Sequence, residues 1–167
     1  MIRVVVDDIA FVSTDAVLRP TTALLEPVAR SSRHLESVAG ASFREQISTN
    51  TELAVGSAVV TDAGDLAADM VIHAVVRSID TPVTEDGVRK ALTSAIQRAR
   101  DWGISRIATP PIGTGAGNLL MEDAARIMVD MFRRAMLSSA YPREVCIVVE
   151  SEEEKALFDA QLDRITP

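Results

Sequence analysis

Apolar residues along this chain follow two rhythms. Short runs at 2–6 (IRVVV), 57–62 (SAVVTD), 70–76 (MVIHAVV), 104–109 (ISRIAT) and 144–149 (EVCIVV) predict strands. A further one is predicted at 15–18 (DAVL), just before Arg19 and Pro20. Elsewhere the spacing is helical. Val88, Ala91, Leu92, Ala95, Ile96, Ala99 and Trp102 form one stripe, with Thr84 as a cap, Glu85 and Asp86 in the first turn and Gly103 at the end. The apolar spacing of 23–39 predicts another helix, with Pro27 in its first turn and Gly40 after its last. Shorter signals predict helices over 41–48 and 121–137. A Ser151/Glu154 capping box opens a last helix that runs to about Ile165.

Strands alternating with helices of this length predict an α/β protein. The expected form is a three-layer α/β/α sandwich on a mixed, mostly parallel sheet, with residues 1–167 making a single domain. Composition narrows the possible functions. Apolar residues make up 47% of the chain, enough for a core without a disulfide or metal staple. The lone Cys146 excludes a disulfide framework and any cysteine-based zinc site. With 17 basic and 24 acidic side chains the net charge is −7, which lacks the footprint of a general nucleic-acid binder. No apolar run is long enough to span a membrane, and Asp7 and Asp8 come too early for a signal peptide. The expectation is a cytoplasmic protein.

Glycine is the most informative residue type. None of the eight precedes Gly40, whereas Gly113, Gly115 and Gly117 fall within five positions, between a predicted strand and a predicted helix. At the carboxyl end of a strand, such a loop lets backbone N–H groups approach a phosphate, and the helix after it favours an anion. The plainer alternative is a tight turn that needs positive φ and binds nothing. The loop is neither of the two commonest phosphate loops. A Walker loop needs lysine where Asn118 stands. A dinucleotide fingerprint needs glycine at 118 and an acid near position 133, which is Arg133.

Taken in order, four stretches resemble the macro domain, an ADP-ribose-binding module. They are Asp8-Ile9 after the first strand, Asp15-Ala16-Val17-Leu18, the middle strands from Gly56 to Thr61 and Val71 to Val75, and Pro111-Ile112-Gly113-Thr114-Gly115-Ala116-Gly117. The resemblance covers about residues 2–150. It implies binding of ADP-ribose or a related nucleotide, with no cofactor and no metal. Asp8 and Ile9 would read adenine, and Ile112, Gly113, Thr114, Gly115, Ala116, Gly117 and Asn118 would hold the phosphates, with Thr22 toward the distal ribose. An ADP-ribosylated protein is the implied partner. The alternatives are an ADP-ribosyl hydrolase acting on protein or O-acetyl-ADP-ribose, and an interaction module that kept the fold without the ligand.

The departures lie at the distal end. Arg19-Pro20-Thr21-Thr22 stands where the family has an Asn-Ala-Ala-Asn run, and residues 23–39 lack the glycines of the family's first loop. The family's aromatic residue near Gly117 is also missing. These changes predict absent or slow hydrolysis; Arg19, Thr22 and Glu26 are the residues left to supply a variant chemistry. The other polar residues have simpler readings. His73 reads as a buried core histidine, His34 as exposed, Cys146 as an inert core thiol, and Ser31-Ser32 as lacking a base.

Overall fold

The structure, a computed structural model, describes residues 1–115 and 118–164. Strands β1 (Ile2–Val6), β2 (Thr14–Thr22), β3 (Ala58–Asp62), β4 (Ala68–Arg77), β5 (Arg106–Thr109) and β6 (Glu144–Val149) form one sheet in the order β1-β6-β5-β2-β4-β3. All neighbours pair in parallel except β3 with β4. Helices α1 (Arg30–Ala39) and α2 (Ala41–Ile47) cover one face. The other face packs on α3 (Glu85–Asp101), α4 (Met121–Ser138) and α5 (Glu152–Leu162). This is the expected α/β/α sandwich on a mixed, mostly parallel sheet.

The two-residue period of the strands divides the core. Ala16 and Leu18 of β2 join Ile72, Ala74 and Val76 of β4 under α3 and α4. Val17 joins Val71 and Val75 against Leu35 and Phe43 of α1 and α2. The α3 stripe is buried from Val88 to Ala99, and Thr84 Oγ1 caps the helix by accepting from Gly87 N–H at 3.0 Å. Trp102 does not extend that stripe: it is the C-cap, 60% exposed, because Gly103 at φ 62° turns the chain away. The capping box at α5 is shifted. Ser151 Oγ accepts from Glu154 N–H, but Glu154 Oε2 reaches Glu150 N–H. The helix ends at Leu162, short of the expected Ile165, which lies outside the described residues.

The largest departures from the sequence pattern are in β2 and the segment after it. The strand does not stop at Leu18 but runs through Arg19-Pro20-Thr21-Thr22. A proline is tolerated there because β2 pairs with β5 only at Ala16 and Val17, so at Pro20 that side of the strand is no longer paired. Helix α1 then begins at Arg30, not near 23. Residues 23–29 fold back on the strand instead: Thr22 N–H donates to Glu26 O (2.9 Å), Leu25 N–H donates to Thr22 O (2.9 Å), and Pro27 bridges Thr21. Pro27 thus sits outside the helix. Leu25 is left-handed at φ 61°, a conformation that costs a side-chain-bearing residue about 1–2 kcal/mol.

Arg19 holds this turn in place. Fully buried, it donates from Nη2 to Leu25 O at 2.7 Å and from Nη1 to Glu36 Oε1 of α1 at 2.6 Å. Burial lowers its basicity, and the bond and charge of Glu36 oppose that effect. Removing one partner of such a pair leaves a buried charge uncompensated. Glu36→Ala is expected to cost about 3–5 kcal/mol in urea unfolding. A loss of under about 1 kcal/mol would show that the guanidinium finds another acceptor.

Candidate functional site

Five parallel strands point their carboxyl ends the same way, and an open cleft of about 620 Å³ lies at that edge. Its walls come from the ends of four elements. Asp7, Asp8 and Ile9 follow β1; Ala29, Arg30, Ser31 and His34 belong to the segment after β2; Pro110, Pro111, Thr114 and Gly115 follow β5; and Glu150 and Glu154 follow β6.

Asp8 sits where β1 gives way to a single 3-10 turn (Ile9–Phe11). Its Oδ1 accepts from Ala10 N–H at 3.0 Å and its Oδ2 is 2.8 Å from His34 Nε2. The residue is therefore a turn cap and a cleft carboxylate at once. Next to it, the Ile9 N–H has no hydrogen-bond partner among the described residues. His34 is half exposed as expected, but it is not idle. It ties α1 to the end of β1, with the Phe11 ring edge-on at 6.1 Å.

The glycine loop is built as its sequence suggests. Gly113 (φ 93°) and Gly115 (φ 75°) adopt conformations that disfavour a Cβ. A side chain at Gly113 would strike Leu119 and Val88 within 3 Å, so this glycine belongs to packing. Gly115 faces the other wall, where a Cβ would come to 3.3 Å from that of Ala29. Ile112 is fully buried, with its N–H directed at Met128 Sδ, and anchors the loop from below. Asn118 turns its amide to Val83 O and acts as a strut. Thr114 and Gly115 line the cleft, while Ala116 and Gly117 lie outside the described residues.

Thr22 is not brought into this cleft. Its Oγ1 accepts from Leu24 and Glu26 N–H, and it lines a separate cavity with Glu26, Glu52 and Arg77. Arg19 is wholly inside the protein. The helix start that opens on the cleft is also not only the one after the glycine loop. Helix α4 carries Glu122 and Asp123 in its first turn, whereas α1, with Ala29 as its N-cap, has no capping side chain and no acid in its first turn. Arg30 there has no carboxylate partner among the described residues. The apolar spacing, which starts this helix near residue 23, gives no sign of this second anion-favouring wall.

Charge divides the cleft. Asp7, Asp8, Glu150 and Glu154 gather at the β1/β6 end, while Arg30 and the N–H groups at the start of α1 face Thr114 and Gly115. Among the described residues, no cluster of three metal-ligating side chains occurs. Cys146 is buried on the sheet, and burial pushes its thiol up, as suits an inert core residue.

Residues 28–128 match the family profile described as Macro domain. A relative from Enterobacter, named O-acetyl-ADP-ribose deacetylase, is 30% identical over 172 residues, covering 96% of this chain and 93% of that one. An uncharacterized protein of Mycobacterium tuberculosis is 25% identical over 155 residues. Those cover 93% of this chain but 43% of that one, so the chain spans less than half of that longer relative. In structure, the Oceanobacillus iheyensis macrodomain with ADP aligns at TM-score 0.86 and 19% identity, covering 96% and 89% of the two chains. The Trypanosoma brucei macrodomain in complex with ADP-ribose aligns at 0.85 and 19%, covering 96% and 68%. The chain belongs to the macro domain family. At these identities the structural likeness establishes the fold alone.

Behind the cleft, on the α1/α2 face, His73 is fully buried, paired with Thr61 Oγ1 at 2.8 Å and stacked on Phe43. Burial, aided by the Arg19 charge, holds it well below the ordinary imidazole range. It is a neutral core residue, not a base. The unfolded chain takes up a proton below about pH 6.5 that the folded one refuses, so stability falls as pH drops through that value. The expected slope is up to about 1.4 kcal/mol per pH unit. Urea unfolding between about pH 7.5 and about pH 5.5 should show a shallower loss in His73→Gln than in the parent protein.

Proposed function

We propose that this chain binds ADP-ribose or a closely related adenine nucleotide diphosphate, with its base at Asp8 and Ile9 and its diphosphate between the two loops. The observation that carries the reading is the pairing of the Asp8 carboxylate with the Ile9 N–H, unpartnered among the described residues, at one end of the cleft. One acceptor beside one donor complements the amino group and ring nitrogen on the adenine edge. From there the diphosphate runs toward N–H groups at both walls: Thr114 and Gly115 on one, the uncapped start of α1 with Arg30 on the other. The ADP and ADP-ribose held by the Oceanobacillus and Trypanosoma macrodomains support the same class of ligand. An ADP-ribosyl group carried on a protein is the partner this reading implies.

Hydrolysis is the second reading, favoured by the Enterobacter relative's name. We place it behind binding because of the commitments made by the residues after β2 begins to lose its β5 neighbour. Arg19 is committed to Leu25 and Glu36, and Thr22 lines a separate cavity, so neither reaches the cleft to orient a water. A group misplaced by about 1 Å can already cost about 100-fold in rate.

Calorimetric titration with ADP-ribose tests the binding site. Asp8→Ala should weaken binding by about 1.5–3 kcal/mol, the range for a hydrogen bond to a charged group. Unchanged affinity would reduce Asp8 to a turn cap. Incubation with mono-ADP-ribosylated protein and with O-acetyl-ADP-ribose tests the second reading. Little or no turnover is expected, and robust multiple turnover on either substrate would reverse the order of the two.

A further inference from the structure

We propose that His34 is a positioning residue for the base end of the cleft, coupling ligand affinity to its own charge through Asp8. The inference rests on the assignment of Asp8 to the ligand's amino group made above. Asp8 Oδ1 accepts from Ala10 N–H and Oδ2 lies 2.8 Å from His34 Nε2, so each oxygen keeps one acceptor site for a ligand. A donor from α1 and one from the ligand thus share a single carboxylate. A neutral imidazole donating from Nε2 shares it, since a carboxylate oxygen accepts two hydrogen bonds. An imidazolium claims it more strongly, because the bond becomes charge-assisted and the carboxylate's charge is neutralised.

The geometry gives His34 two tasks. Its bond spans the two walls of the cleft, holding the turn that carries Asp8 and Ile9 against α1, while the Phe11 edge keeps the ring in place. The carboxylate is thereby aimed before a ligand arrives. When the imidazole gains a proton, the same bond becomes a competitor, and a ligand that needs the Asp8 carboxylate binds more weakly. The charged groups around His34 are Asp7 and Asp8 from the β1 end, Arg30 and Arg33 before it and Glu36 after it on α1, and Glu150 and Glu154 from the β6 end of the cleft. Those groups are unchanged when only His34 is replaced. A comparison of parent and variant therefore isolates the imidazole.

The test is calorimetric titration of the whole chain with ADP-ribose and with its hypoxanthine counterpart, which lacks the amino group. Both are run from about pH 5 to about pH 8, the interval in which histidine changes charge. The proteins are the parent, Asp8→Ala and His34→Gln, whose amide keeps a donor for Asp8 but does not titrate. Parent affinity for ADP-ribose should rise about two- to fivefold more over this interval than that of His34→Gln, the scale of a half-exposed ion pair. The parent should also release protons on binding, seen as a buffer-dependent enthalpy. That release should be missing in His34→Gln and with the hypoxanthine ligand. Superimposable pH profiles and equal proton release in parent and His34→Gln would overturn the role of His34 while leaving the base assignment standing. Equal affinity for the two bases, with no effect of Asp8→Ala, would overturn the base assignment and this inference with it. Absence of binding by either ligand would overturn both as well.

Discussion

A guanidinium with no solvent exposure fixes the shape of one side of this protein. Arg19 lies in β2, and its two terminal nitrogens are committed to the carbonyl of a left-handed Leu25 and to a carboxylate on α1. Those two bonds decide where the chain goes after β2, and so where α1 starts. The start of α1 in turn supplies the cleft wall of Ala29, Arg30 and Ser31. A charge buried this deeply is tolerable only because its partners are in place, since an unpaired one would cost several kcal/mol. The clamp therefore joins fold and site: the bonds that neutralise the cation also shape the first loop.

The same arrangement bears on chemistry. Family members place an asparagine run at the end of β2, whereas here that stretch is spent on structure. Arg19 points into the α1/α2 layer beside Phe43, Pro20 occupies a length of strand that has lost its β5 neighbour, and Thr22 closes its own turn. Binding does not need these residues to face the cleft, because its candidate partners are backbone groups and Asp8 on other elements. The cleft residues and the end of β2 thus form separate parts of the scaffold.

The cleft is polar in a graded way. Carboxylates gather where an amino-bearing base would sit, and N–H groups with Arg30 gather where phosphates would lie. An anion entering the cleft meets repulsion at one end and helix-terminal attraction at the other. In the proposed binding mode that gradient is what orients the nucleotide before close contact forms. His34, joined to Asp8 from α1, stands at the carboxylate end.

Much of this is legible in the residues themselves. The α3 stripe, the six apolar runs and the glycine spacing depend on local periodicity and on backbone conformation, which neighbours in sequence largely determine. They lead to the sheet, the layers, the turn at Gly113 and Gly115, and the placement of Asp8 at a strand end. What the tertiary structure alone decided involves partners far apart in the chain. The apolar spacing of 23–39 is compatible with a helix from its first residue, but Arg19 and Thr22 capture 23–29 by hydrogen bonds, and helix propensity is too weak to compete. His34 looks like a surface residue in sequence, because nothing in its neighbourhood announces Asp8, 26 positions earlier. The macro-domain resemblance assigns Thr22 to the ligand, yet a small turn redirects its hydroxyl. Local pattern specifies which elements form and which face is buried. Which polar atoms meet is settled only when those elements pack, since a buried or shared charge takes the partner that geometry offers it.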